Sequence, residues 1–148
     1  MFHYRDIQST GGAVAIVILS PKGQVLLVLQ RSLDNPFWKI PVESRKRGER
    51  VLETASRGAW EELGLTLRPS DFQKIADEDS SIPGRYRPHI CVAMVSQAVF
   101  DSHSPTGNED GEELEVREEK FSNVPMMSDF LERHHYILGN VRRFLTNN

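Results

Sequence analysis

The sequence predicts an α/β sandwich built on a mixed sheet, and three observations carry that expectation. Two continuous, β-branched apolar runs, Ala13–Leu19 (AVAIVIL) and Gln24–Gln30 (QVLLVLQ), flank the turn Ser20-Pro21-Lys22-Gly23. Runs of this kind, without polar alternation, suit strands covered on both faces. A helical stripe follows at residues 49–63, and strand-like segments then precede a second amphipathic helix. Strands and helices mixed in this order need layers on both faces of one sheet.

The two apolar runs around a Pro/Gly turn predict an antiparallel hairpin. A loop over 32–37 leads into Trp38-Lys39-Ile40-Pro41. In the helix at 49–63, Leu52, Ala55, Ala59 and Leu63 fall on one stripe, and Gly64 stands where a left-handed capping residue belongs. Segments 72–77, 89–100 and 114–121 read as strands, and the acidic, Gly- and Ser-containing stretch 101–113 as a surface loop. Residues 129–145 read as the closing helix, with Asp129 and Glu132 at capping-box spacing.

Composition bounds the function classes. The 148 residues carry a net charge of −3, with 39% hydrophobic and 26% charged residues. That suits one domain over residues 1–148 with a core of its own, and excludes collagen-like, coiled-coil and wholly disordered chains. No apolar run approaches the about 20 residues of a membrane span. The opening Met1-Phe2-His3-Tyr4-Arg5-Asp6 has neither the basic nor the apolar part of a signal peptide. The lone Cys91 reads as a small buried hydrophobe. The expectation is a cytoplasmic protein with no membrane partner. Mild acidity gives no general argument for nucleic acid.

The chemistry-bearing feature is polar. Glu61 and Glu62 lie about a quarter turn or more from the apolar stripe, and position 58 completes their side as i, i+3, i+4. Three carboxylates so spaced would converge on a hard divalent cation. Position 58, however, is Gly58, a mid-helix glycine without a capping task. Spacing alone favours a solvated face with an Arg57–Glu61 pair. From propensity alone, Gly58→Glu is expected to stabilise the helix by about half a kcal/mol or more.

At these residues the sequence resembles the Nudix (MutT-like) hydrolases, whose box reads G-x5-E-x7-R-E-U-x-E-E-x-G-U. Glu49, Arg57, Glu61, Glu62, Gly64 and Leu65 match it. Glu43 stands in place of the glycine, Gly58 in place of the first core glutamate, and Ala59 in place of the bulky aliphatic, so the box is degenerate. Leu29-Gln30-Arg31, Phe37-Trp38-x-x-Pro41, Leu114-Glu115-Val116 and Val124-Pro125 are also similar to the family. The resemblance implies an α/β/α sandwich around a mixed sheet. It implies hydrolysis of the pyrophosphate of a nucleoside diphosphate linked to another moiety, with Mg²⁺ or Mn²⁺ bound weakly until a substrate phosphate completes its shell.

By match, Glu61 and Glu62 are metal ligands, Arg57 orients a carboxylate, and Glu49 ties the loop to the helix. The acidic stretch offers replacements for the missing glutamate, with Glu112 as a metal ligand and Glu113 as the catalytic base. Phosphate contacts are expected from Arg31, Arg45, Arg47 and Arg87. A glycine-free Val42-Glu43 implies that the loop has changed path. Homodimers are frequent in the family. The competing reading is a catalytically silent Nudix fold that binds nucleotide or RNA, to which the basic Arg45-Lys46-Arg47 and Arg50 would be suited. A third is an interaction domain using the fold as scaffold.

Overall fold

The computed structural model describes residues 12–31, 35–104 and 115–147. Strands β1 (Ala13–Leu19) and β2 (Gln24–Gln30) have the bounds expected from their apolar runs. They are antiparallel and meet at Leu19–Val25. Away from the turn they diverge. Short strands β3 (Phe37–Lys39) and β4 (Val42–Ser44) take up the freed edges, β3 on β2 and β4 on β1. The remaining strands are β5 (Gln73–Ala76), β6 (His89–Met94) and β7 (Val116–Lys120). β6 runs parallel to β1 while the other pairs are antiparallel, so the seven-stranded sheet is mixed.

Helix α1 (Val51–Leu63) covers one face of the sheet and α3 (His135–Thr146) the other. In β1, Val14, Ile16 and Ile18 pack towards α1, whereas Ala15, Val17 and Leu19 join the core beneath α3. Leu26 and Val28 of β2, and Cys91 and Ala93 of β6, divide in the same way from Val25, Leu27, Ile90 and Val92. This is why the runs lack polar alternation: each face of the strand has a helix to satisfy. Cys91 is a free thiol in this core, and burial pushes its pKa up to about 12.

Gly64 ends α1 with φ 67°, its N–H donating to Trp60 O at 3.0 Å. α1 itself starts two residues after Glu49, with Glu53 Oε1 accepting the Arg50 N–H at 2.9 Å.

Two expected elements differ. The strand predicted over 89–100 stops at Met94. Ser96 Oγ accepts the Val99 N–H at 3.2 Å and starts a short helix, α2 (Gln97–Asp101), a cap that outweighs the β-propensity of the valines. The closing helix does not begin at Asp129. Trp38 N donates to Asp129 O at 2.7 Å and Leu131 N donates to Trp38 O at 2.9 Å, so this segment pairs with β3. A 3₁₀ turn, Glu132–His134, then leads into α3. Of the loop expected over 101–113, Asp101 belongs to α2, and residues 105–113 lie outside the described set.

Candidate active site

The polar side of α1 faces the β3–β4 end of the sheet, and Arg57 is its hub. Arg57 Nε donates to Glu49 Oε2 at 2.9 Å and Nη2 to Glu49 Oε1 at 3.0 Å, a bidentate pair. Nη2 also reaches Ser44 O at 2.7 Å, and Nη1 reaches Glu61 Oε2 at 3.1 Å. Glu43 Oε1 lies 3.5 Å from the same Nη1. Glu49 further accepts from Thr54 Oγ1 at 2.6 Å and Lys46 N at 3.1 Å, so it ties the loop after β4 to the helix. Hydrogen bonds from Arg57, against the cost of burial, hold Glu49 down to about 2.

Three carboxylates border this hub, Glu61 and Glu62 from the helix and Glu43 from β4. Burial raises the Glu43 pKa; Arg57 opposes that, while a hydrogen-bonded Glu61 carboxyl adds to it. Glu62 is pushed up to about 8, first by burial and then by the Glu43 charge, with Lys39 on β3 acting in the opposite sense. Glu62 Oε2 is closed off from solvent and accepts no hydrogen bond among the described residues. Burial lowers the Lys39 pKa, with Glu62 opposing. Among the described residues no three acidic, histidine or cysteine side chains are already gathered as a metal-binding group; Glu43 and Glu61 turn to Arg57.

Gly58 is buried where α1 crosses β1 and β4. A Cβ there would overlap Ile16 Cδ1 and lie 2.9 Å from Glu43 Cβ. The stabilisation expected of Gly58→Glu is therefore set against a filled space, because helix propensity ignores what faces the helix.

The sequence model of the NUDIX domain matches residues 9–138. The chain belongs to the Nudix family. A crystal structure of an ADP compounds hydrolase resembles it with TM-score 0.66 at 17% identity, covering 91% of this chain and 74% of that one. A MutT structure, from work on the Aliivibrio salmonicida and Vibrio cholerae proteins, gives TM-score 0.57 at 18% identity, covering 87% and 92%. At such identities the likeness speaks to the fold.

In this Nudix chain, α1 and the loop before it bring together Arg57, Glu61 and Glu62. Arg45 stands in the same loop, its Nε donating to Glu49 O at 2.6 Å, and Arg47 is exposed nearby. Arg31 pairs instead with Glu115 at the start of β7. The Arg87 guanidinium lies 4.8 Å over the Tyr136 ring of α3. Glu112 and Glu113 lie outside the described residues. Lys39 and Glu43 were not among the expected site residues. The signal for Glu43 was present as an acidic residue at a position where the box has glycine. Val42 and Glu43 need no glycine because they are extended: Val14 pairs with Glu43 and Ala15 with Val42, and no non-glycine described residue has positive φ. Here the segment after Pro41 is strand β4. A separate apolar cleft of about 670 Å³ opens beside the β1–β2 turn, lined in part by Pro21, Met94, Phe121 and Leu145, away from the carboxylates.

Proposed function

We propose that this chain is a metal-dependent Nudix hydrolase that cleaves the pyrophosphate of a nucleoside diphosphate linked to another moiety. The observation that carries the reading is Glu62 Oε2, closed off from solvent beside two other carboxylates and without a hydrogen-bond partner among the described residues. A carboxylate oxygen taken out of water without a hydrogen bond is costly, and a bound cation would relieve that cost. The donor set, oxygens only, fits a hard cation such as Mg²⁺ or Mn²⁺. Glu61 and Glu62 would hold it, and when bound it supplies charge neutralisation at the phosphates and an acidified water.

The chain's own residues prepare that end of the helix. Arg57 restrains Glu61 through Nη1 while its other nitrogens are anchored on Glu49 and Ser44 O, so the carboxylate sits on a braced support. Glu113, or Glu112 before it, remains the proposed source of the base or a further ligand. Exposed Lys46, Arg47 and Arg50 offer positive charge to substrate phosphates. The neighbour that acts on ADP compounds makes ADP-linked pyrophosphates the first substrates to try.

A panel of nucleoside diphosphate derivatives incubated with Mg²⁺ or Mn²⁺, with released monophosphate separated by ion-pair chromatography, tests this. Turnover that stops on chelation is the expected result. Saturable nucleotide binding with no turnover under either metal would replace it with the silent binding module.

A further inference from the structure

The exchanged residues of the box, Glu43 for glycine and Gly58 for glutamate, are neighbours in space. A Cβ on Gly58 would sit 2.9 Å from Glu43 Cβ and 3.3 Å from Glu43 Cγ. The Glu43 side chain therefore starts where a side chain at position 58 would start. It approaches from the opposite direction, rising from β4 rather than from α1. The strand register fixes this placement, because Glu43 is paired across from Val14 at the end of β1.

From there Glu43 reaches the same polar groups that position 58 would share a helix face with. Its Oε1 lies 3.5 Å from Arg57 Nη1, the same nitrogen that stands 3.1 Å from Glu61 Oε2. Glu62 Oε2, closed off from solvent and accepting no hydrogen bond among the described residues, leaves a lone pair here without a partner. Loss of a glutamate from the helix has thus not reduced the local count of carboxylates. We propose that Glu43 is a relocated ligand, completing with Glu61 and Glu62 a three-carboxylate site for a divalent cation. The proposal rests on the metal-dependent reading above and specifies which side chains serve it. It also accounts for the pairing of the two departures: glycine at 58 leaves room for Glu43, and Glu43 returns the charge that glycine removes.

Mn²⁺ binding in the presence of α,β-methylene-ADP, followed by the electron paramagnetic resonance of free Mn²⁺, separates the possibilities. Glu43→Gln should weaken Mn²⁺ by at least about tenfold, a loss that even outer partners of a ligand carry, while Glu43→Asp should lose less. Glu43→Cys should weaken Mn²⁺ and raise Cd²⁺ affinity above wild type, since a thiolate ligand favours the softer ion. Thermal melts of each variant establish that it is folded, and the aspartate and cysteine variants serve if the glutamine variant is not. Wild-type Mn²⁺ affinity in Glu43→Gln, with loss in Glu62→Gln, would overturn the proposal and leave the metal-dependent reading standing. Weakened Mn²⁺ without a gain in Cd²⁺ for Glu43→Cys would reduce Glu43 to a positioning role through Arg57 and also overturn it. A wild-type protein that binds no Mn²⁺ would overturn both.

Discussion

Gly58→Ala opposes two calculable effects. In an open helix the change is worth about 1 kcal/mol in favour of folding, because alanine has less backbone freedom to lose. Here the added methyl overlaps Ile16 Cδ1 and comes within 2.9 Å of Glu43 Cβ. Ile16 is fully buried, so its methyl has nowhere open to turn. Overpacking of a filled site costs about 1–3 kcal/mol, giving a net destabilisation of about 0–2 kcal/mol. Ile16→Val removes the colliding methyl and by itself costs about 0.5–1.5 kcal/mol. In that background Gly58→Ala should become neutral or stabilising, with a coupling of about 1–2 kcal/mol between the sites. Urea unfolding of the four proteins, monitored by circular dichroism, closes the cycle, provided that the m values agree. A wild-type background stabilised by about 1 kcal/mol, with additive energies, would refute the packing argument.

Acid should weaken the fold through His134. This ring is buried, accepts the Ile40 N–H at 3.2 Å and stacks on Tyr86; burial first, then Lys39 and Arg133, lowers its pKa to about 3. The unfolded chain, with an ordinary histidine pKa of about 6.5, binds more protons between these values. The stability this site contributes is therefore full above that pH and falls as pH drops towards 3. Against His134→Asn, whose amide oxygen can accept the same N–H, wild type should lose about 2 kcal/mol of its relative advantage between pH 7 and pH 5. A constant difference in urea midpoints across that range would contradict it. Gly64→Ala should destabilise by more than the about 1–2 kcal/mol of a left-handed alanine, because the new methyl also lies 2.5 Å from Ser104 O. Wild-type thermal stability of that variant would show that the cap relaxes freely.

What was legible in the sequence was local. β1 and β2 announce themselves because both faces are covered, and α1 because its stripe and capping glycine agree. Arg57, Glu61 and Glu62 come together because helical spacing is enough to do it. The strand expected over 89–100 is cut short by the local Ser96 cap, and the other misreadings share a cause in long-range pairing. Asp129 looks like a helix cap until β3 claims its carbonyl, and the Ile40 amide finds its acceptor on His134, across 94 residues. Glu43 could be recognised as a departure from the box, but not as a neighbour of Gly58. That contact requires β4 to pair with β1 beneath the helix. Position 58 read as a vacancy for the same reason, since periodicity describes the helix and not what it rests on.

Hydrolysis is proposed to run through the carboxylates at the end of α1. Its most direct measurement is metal-dependent release of monophosphate from an ADP-linked pyrophosphate by wild type, Glu62→Gln and the Glu61/Glu62 double glutamine variant. No Cys–His or Ser–His nucleophile pair is evident in the sequence, and glutamine preserves size and helix propensity, so the folds should survive. Loss of a metal-holding carboxylate should lower kcat/KM by about a hundredfold or more, a few kcal/mol of transition-state stabilisation. Glu113→Gln, measured alongside, should be damaging only if the acidic segment supplies the base. Near-abolished turnover is expected in the folded double variant. Undiminished metal-dependent hydrolysis there would contradict it and place the active site elsewhere.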